Sequence, residues 1–207
     1  MKRLFLMFFL ISILVSCKKE VPKVLLFIED NSDQLGYMLT HEVGTMSEIL
    51  KQSGLKVTIA TISGKVLKTD SITLTPDIKL SEVNIDDYAG FILPCMASDS
   101  ITSEAIDFVK KVVKKGKPIA AQLGSVMVLA KAGVLNGKKF AFAEEKDINA
   151  NMYPEFNGGI FSGEGVVQDG IIITSGVCPW MAKMTGHKDG TAELTRELVG
   201  VIKTRTK

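Results

Sequence analysis

The chain has 207 residues, of which 25 are basic, 23 are acidic and 46% are hydrophobic. This composition is that of an ordinary globular domain, and it excludes a collagenous, coiled-coil or intrinsically disordered chain. Two histidines and three cysteines without a CxxC pair argue against a multi-ligand zinc site, and the sequence indicates no cofactor.

The N-terminus has the pattern of a targeting segment. Lys2 and Arg3 precede an apolar run over residues 4–15 that Ser12 alone interrupts. A helix needs about 20 apolar residues to cross a bilayer, so this run is too short for a stable span. Its length and flanks are typical of a secretory signal peptide.

The residues that follow carry a more specific signal. Leu14-Val15-Ser16-Cys17 resembles the lipobox of bacterial lipoproteins. The resemblance implies cleavage before Cys17 and attachment of fatty acyl chains such as palmitate to it. We therefore expect a lipoprotein signal peptide at 1–16, a lipidated cysteine and tether at 17–22, and a single domain at 23–207. An uncleaved signal anchor, or an unmodified cysteine after an ordinary signal peptide, remains an alternative.

Removal of residues 1–16 also changes the charge. It takes away Lys2 and Arg3, which leaves 23 basic residues against 23 acidic ones. A neutral chain has no global basic field to attract nucleic acid, so no nucleic-acid partner is predicted. The expected location is extracytoplasmic, with a lipid anchor in a bacterial cell membrane.

The first half of the domain alternates strand and helix patterns. A continuous apolar run at 23–28 predicts a strand buried on both faces. Apolar spacing over 39–52 predicts a helix, and 56–61 predicts a second strand. Residues 62–87 are rich in turn residues, with weak strand signals at 72–74.

The second half continues the alternation. Strands are predicted at 88–93, 118–122, 138–143 and 166–174, and helices at 103–115, 124–132 and 192–202. This order predicts an α/β sandwich with a mostly parallel central sheet. Ligands of such folds bind beyond the carboxyl ends of the strands, which here are followed by residues 29–30, 95–96, 122–124 and 175–180.

Four stretches carry a resemblance to a known family. Residues 54–61, 87–94, 116–137 and 166–175 resemble the DJ-1/PfpI family, in the family's order and at its spacing. The resemblance implies a flavodoxin-like three-layer α/β sandwich over roughly the whole domain. The family includes amidase-like, glyoxalase-like and chaperone-like members, so the fold alone does not define the activity.

The resemblance also locates the family's nucleophile. In the family, a cysteine lies at a strained turn between a strand and a helix, and a glutamate from the first long helix touches it. That glutamate matches Glu42, whereas the cysteine position falls on Leu123, which Gly124 follows. A leucine cannot attack a carbonyl group, so the usual cysteine-dependent catalysis is predicted to be absent.

Two more departures lie near the same site. The family's Leu-Pro-Gly-Gly is here Leu-Pro with Cys95 and Met96, and Cys178 precedes a proline where the family often has glycine. The family's glycines allow backbone N–H groups to approach the site. We expect Gly124, Cys178 and Trp180 at the rim of a pocket.

The two cysteines leave three interpretations open. Cys95 is a relocated reactive thiol beside Glu42, or one half of a disulfide with Cys178, or a small buried hydrophobic residue. The last two interpretations apply equally to Cys178. An extracytoplasmic location would permit the disulfide.

The remaining candidate residues are predicted to have structural rather than catalytic roles. Ser125 is expected to cap a helix because no histidine is placed to activate it. His41 and His187 are expected to face solvent. Trp180 and the methionines near it are expected to pack in the core, with a pocket or a dimer surface as the alternative.

These observations favour a membrane-anchored, extracytoplasmic protein without the family's cysteine chemistry. Its expected role is binding of an unidentified small ligand or a structural role, with membrane lipid as a partner through Cys17. The alternative is an amidase- or glyoxalase-like hydrolase that uses Cys95 with Glu42. A third interpretation is an interaction protein that forms a homodimer near the pocket.

Overall fold

A computed structural model of the chain describes residues 20–95, 101–143 and 153–205. The predicted signal peptide at 1–16, the predicted lipidation at Cys17 and the departure from the family motif at Met96 lie outside the described residues. Within those three ranges, no helix is both long enough and apolar enough to cross a membrane.

The described elements alternate strands and helices along the chain. The strands are β1 (Lys23–Ile28), β2 (Lys56–Thr61), β3 (Leu67–Lys68), β4 (Thr73–Leu74), β5 (Ile78–Lys79), β6 (Gly90–Leu93), β7 (Ile119–Gln122), β8 (Lys139–Phe140), β9 (Ile160–Phe161), β10 (Val166–Asp169) and β11 (Ile172–Ser175). The α-helices are α1 (Leu35–Met38), α2 (Gly44–Gln52), α3 (Ser103–Lys114), α4 (Gly124–Lys131), α5 (Pro179–Thr185) and α6 (Thr191–Arg205). A π-helical segment, Leu39–Val43, joins α1 to α2.

The main sheet has seven strands in the order β10-β11-β7-β6-β1-β2-β5. Every pair in it is parallel except the β10–β11 hairpin, which lies at one edge. Two small two-stranded sheets, β3–β4 and β8–β9, lie outside it. The predicted α/β fold with a mostly parallel sheet is confirmed.

Both faces of this sheet are covered by helices. Val24 and Leu26 of β1 pack into a cluster with α2 and α6, while Leu25 and Phe27 pack into a cluster with α3 and α4. Successive side chains of a strand point to opposite faces, so a strand buried on both faces needs a continuous apolar sequence. The result is the predicted three-layer sandwich.

The strand order creates the crevice in which the site lies. The chain passes from β1 to β2 on one side and then returns to add β6 and β7 on the other side of β1. Connections that diverge in this way leave an opening beyond the carboxyl ends of the strands. The loops after β6, β7 and β11 meet there.

Several predicted boundaries were wrong, each for a local reason. The helix predicted at 39–52 begins at Leu35 and contains the π-helical segment, which a regular 3.6-residue spacing does not reveal. Helix α5 was not predicted, because Pro179 at its first position resembled a loop residue although proline is common there. The strand predicted at 138–143 is only Lys139–Phe140.

Candidate active site

The turn between β7 and α4 is the most strained backbone of the described chain. Leu123 has φ 36° and ψ −100°, and it is the one non-glycine residue with positive φ among those described. Its N–H donates to the Ser175 carbonyl (N to O, 2.7 Å) and its carbonyl accepts from the Val126 N–H (2.9 Å). Such a conformation costs of order 1–3 kcal/mol and persists only where the surroundings hold it. The strain that the resemblance leads us to expect at a nucleophile turn is present, with a leucine in that position.

Glu42 reaches the end of β6 from the π-helical segment. It is 1% exposed, and its Oε1 accepts a hydrogen bond from the Cys95 N–H at 2.7 Å. Burial raises the pKa of Glu42 well above its usual range, and the nearby Cys178 raises it further, although the bond from Cys95 opposes both. Its carboxyl group is therefore held toward the neutral form. Segments of π-helix often lie at functional sites.

Cys95 and Cys178 meet beyond the ends of their strands. Both are buried and neither is in a disulfide. β6 and β11 both pair with β7, so the loops that follow them converge over Leu123. In this contact the Cys95 thiol donates a hydrogen bond to the sulfur of Cys178.

This hydrogen bond makes the two thiols unequal. Donation to Cys178, together with burial and the proximity of Glu42, raises the pKa of Cys95 well above its usual range. Acceptance of the same bond lowers the pKa of Cys178 to about 7, and the N–H groups of Met181 and Trp180 also lower it. The thiol that ionises more readily is thus Cys178.

A cavity of about 200 Å³ lies beside the two thiols. Its wall is almost entirely apolar. Nine of the described residues line it: Gln34, Tyr37, Met38, Glu42, Cys95, Leu123, Cys178, Trp180 and Met181. Five of the residues singled out by sequence therefore lie in one place: Glu42, Cys95, Leu123, Cys178 and Trp180.

Aromatic rings and a lysine surround the outer part of this cavity. Tyr37 and Trp180 meet edge to face with ring centroids 5.2 Å apart. Lys183 Nζ lies 5.6 Å from the Tyr37 ring centroid and 5.8 Å from that of Trp180. Trp180 is 36% exposed, so the expectation that it packs in the core was wrong. It lies at the cavity rim, where its ring remains accessible to solvent.

Gly124 and Ser125 lie at the start of α4 and hold the loop after β6. The Gly124 N–H donates to the Cys95 sulfur. The predicted helix cap at Ser125 was wrong, because Leu123 occupies the N-cap position. Ser125 is instead buried within the helix, and its hydroxyl donates to the Pro94 carbonyl.

Both histidines are exposed, as predicted. The His41 ring packs on Tyr37 with centroids 4.2 Å apart, outside the cavity wall. His187 Nδ1 lies 2.7 Å from a carboxylate oxygen of Glu164. Neither histidine reaches the thiols.

Glu29 and Asp30, which follow β1, accept hydrogen bonds from loop backbone groups and do not line the cavity. Asp30 accepts backbone N–H bonds from Ile62 (2.9 Å) and Ser63 (3.1 Å). Glu29 is buried and accepts a long bond from the Thr102 N–H at 3.4 Å. Among the described residues, no group of three or more His, Cys, Asp or Glu side chains is arranged to hold a metal ion.

The part of the cavity wall at α1 was not predicted from the sequence. Gln34, Tyr37 and Met38 line the cavity, and their helix was not predicted. The available signal was Met38, which lies four positions before Glu42 and therefore on the same side of a helix. Met181 of α5, for which the pocket was the alternative to core packing, also lines the cavity.

Comparison with known proteins identifies the family. Residues 22–186 match the DJ-1/PfpI family, and the chain therefore belongs to it. A solved structure with a similar fold is the ThiJ/PfpI domain protein of Brachyspira murdochii, with a TM-score of 0.68, 15% identity, and coverage of 89% of this chain and 98% of that one. At this identity the likeness concerns the fold alone.

Two relatives found by sequence match only part of this chain. An uncharacterized protein of Archaeoglobus fulgidus is 29% identical over 132 residues, which are 61% of this chain and 75% of the relative. A deglycase of Thermococcus kodakarensis is 30% identical over 94 residues, which are 44% of this chain and 57% of the relative. The match to that deglycase thus spans little more than half of its length.

Proposed function

We propose that this protein is a lipid-anchored, extracytoplasmic member of the DJ-1/PfpI family that binds a small, mostly apolar ligand. The observation that carries the proposal is the cavity of about 200 Å³ at the strand ends, with Leu123 in its wall. Leucine at the strained turn replaces the family's nucleophile with an apolar surface. The lipobox at Cys17 supports the anchor and the location.

The size and chemistry of the cavity define the ligand class. An apolar protein cavity of roughly 150 Å³ is large enough to bind benzene. The cavity here has room for one six-membered ring with a small substituent. Glu42 in its neutral form can donate a hydrogen bond to a carbonyl oxygen of that substituent. A neutral aromatic amide combines these properties, and benzamide is a suitable probe.

Trp180 provides a specific readout, since it is the single tryptophan of the chain and lines the cavity. We expect benzamide to change its fluorescence saturably and to raise the melting temperature. Met38→Phe, which fills the cavity, should abolish both effects. Met46→Phe makes the same substitution in the buried cluster between the sheet and helices α2 and α6, away from the cavity. It should preserve both the fluorescence change and the rise in melting temperature. Absence of saturable binding at millimolar benzamide in the wild type would contradict this ligand class.

The hydrolase alternative is favoured by the position of Cys178 in the cavity wall, where the hydrogen bond from Cys95 lowers its pKa to about 7. A nucleophilic thiol must ionise near the working pH. Cys95, the thiol first considered for this role, has a raised pKa, so a relocated nucleophile would be Cys178 instead. Hydrolysis of p-nitrophenyl acetate or consumption of methylglyoxal that is lost in Cys178→Ser and retained in Cys95→Ser would support the enzyme.

A further inference from the structure

We propose that Cys95 and Cys178 form a reversible dithiol/disulfide couple that exchanges with small-molecule disulfides entering the cavity. This inference uses the cavity of the proposed function but does not depend on ligand binding in it. It rests on three features of the described residues: the sulfur–sulfur contact, the unequal surroundings of the two thiols, and the shared cavity wall.

The two cysteine side chains contact each other in the reduced protein. Cys95 and Cys178 belong to one small buried cluster, together with Met38, and the Cys95 thiol donates to the Cys178 sulfur. A disulfide bond has an S–S length of about 2.05 Å and forms only where the two side chains already point toward each other. The contact between the two thiols places their side chains next to each other in the reduced protein.

The surroundings assign different roles to the two sulfurs. Cys178 directly precedes Pro179 at the N-terminus of α5, where the nearby N–H groups of Trp180 and Met181 favour its thiolate. Cys95 keeps the proton and lies between Glu42 and Gly124, which fix its backbone and its sulfur. Cys178 is thus the attacking sulfur and Cys95 the resolving one.

The cavity supplies the route for the co-reactant. Both cysteines are nearly buried, at 6% and 2% exposure, so bulk reagents do not reach them directly. Both line the cavity of about 200 Å³, whose outer wall includes Tyr37 and Trp180. A small symmetrical disulfide, RSSR, fits this space, whereas a folded protein partner does not. The co-reactant class is therefore a low-molecular-weight disulfide.

The reaction balances in two steps. The Cys178 thiolate attacks RSSR, so that a bond forms between Cys178 and one RS group, the RS–SR bond breaks, and the departing thiolate takes a proton from solvent. Cys95 then attacks the Cys178 sulfur and its proton leaves with the second RS group as RSH. Overall, the dithiol is oxidised to the Cys95–Cys178 disulfide, and RSSR is reduced to two RSH molecules. Excess RSH reverses both steps.

The test uses 2-hydroxyethyl disulfide with 2-mercaptoethanol as the redox buffer. The reduced full-length protein is exposed to a series of ratios, quenched by alkylation and analysed by peptide mass spectrometry, which separates both thiols from Cys17. We expect a linked Cys95–Cys178 peptide in the wild type that forms and disappears reversibly with the ratio. We expect Cys95→Ser to accumulate a mixed disulfide on Cys178. In Cys178→Ser, Cys95 should react at least ten-fold more slowly.

Other outcomes would overturn the couple. These are no linked peptide in the wild type at any ratio, a linked peptide that reductant does not reverse, or equal reactivity of the two single variants. Melting curves of Cys95→Ser and Cys178→Ser establish that each is folded, and alanine variants repeat the measurement if either serine variant is not. Benzamide binding to the reduced protein reports the proposed function separately. Exchange without benzamide binding would overturn that function alone, and binding without exchange would overturn the couple alone.

Discussion

The buried carboxyl group of Glu42 accepts a hydrogen bond from the Cys95 backbone N–H, with 2.7 Å between nitrogen and Oε1. This bond ties the π-helical segment to the loop after β6. It places a group that prefers to stay neutral directly beside the thiol pair. One side chain thus positions the cysteine loop and sets the electrostatic environment of the site.

The raised pKa of Glu42 has a consequence for stability. The unfolded chain loses this proton near the ordinary value of 4.5, whereas the folded chain keeps it to higher pH. The contribution of Glu42 to the free energy of unfolding is therefore fully present below pH 4.5, and it declines as the pH rises toward the folded pKa. Over the mildly acidic range above pH 4.5, we expect the wild type to lose up to about 1.4 kcal/mol per pH unit relative to Glu42→Gln, until the folded carboxyl group itself ionises.

Urea unfolding of the two proteins across this interval measures the difference. The glutamine keeps an acceptor for the Cys95 N–H but does not titrate. Both thiols stay protonated in the unfolded chain over this range, which limits their effect. Glu48→Gln, an exposed change on α2, is the matched control and should leave the pH dependence of wild type unchanged. Parallel curves for wild type and Glu42→Gln would contradict the raised pKa.

The positive φ of Leu123 predicts a reversal of the usual preference between alanine and glycine. Both Leu123→Ala and Leu123→Gly remove the leucine side chain, but only glycine adopts φ 36° without steric cost. We expect the glycine variant to be more stable than the alanine variant by about 1 kcal/mol. Denaturant unfolding of the pair measures this difference directly.

The same pair at Leu129, inside α4, provides the control. That position has ordinary helical surroundings and is fully buried. There the glycine variant should be less stable than the alanine variant by about 1 kcal/mol. If the alanine variant were more stable than the glycine variant at position 123 as well as at position 129, the strained turn would be absent.

The turn should also activate a thiol placed on it. Leu123→Cys in a background that carries Cys95→Ser and Cys178→Ser puts a sulfur on the cavity wall at the start of α4, where thiolate is favoured. We expect iodoacetamide to label this thiol in the folded protein. Leu129→Cys in the same background should react only after unfolding. A thiol at position 123 that is equally inert would show that this side chain does not reach the cavity.

The lipobox predicts that anchoring depends on a single residue. Cys17→Ala removes the acyl acceptor, so the protein should move from the membrane fraction to the soluble fraction of the host bacterium. Cys95→Ser, which leaves Cys17 intact, should stay with the membrane. Fractionation with immunodetection distinguishes the two results. Membrane retention of Cys17→Ala would instead indicate an uncleaved signal anchor.

Helix and strand patterns gave most of the fold because they depend on near neighbours along the chain. The apolar run of β1 and the amphipathic α3 were recognisable from their spacing. Glu42 and Leu123 were found through family motifs rather than through periodicity. The π-helical segment around Glu42 lies within the helix predicted at 39–52, but its π-helical geometry was not predicted, because apolar spacing does not distinguish it from a regular helix. The short α5 after Cys178 was not predicted.

Sequence by itself determined the alternation of strands and helices, and it indicated a leucine where the family has a nucleophile. Only the tertiary structure decided that Cys95 and Cys178 meet, that the first thiol donates to the second, and that α1 completes the wall of their cavity. The physical reason is that local patterns follow from the geometry of one element. Contact between distant residues depends on the order in which β6, β7 and β11 pack side by side.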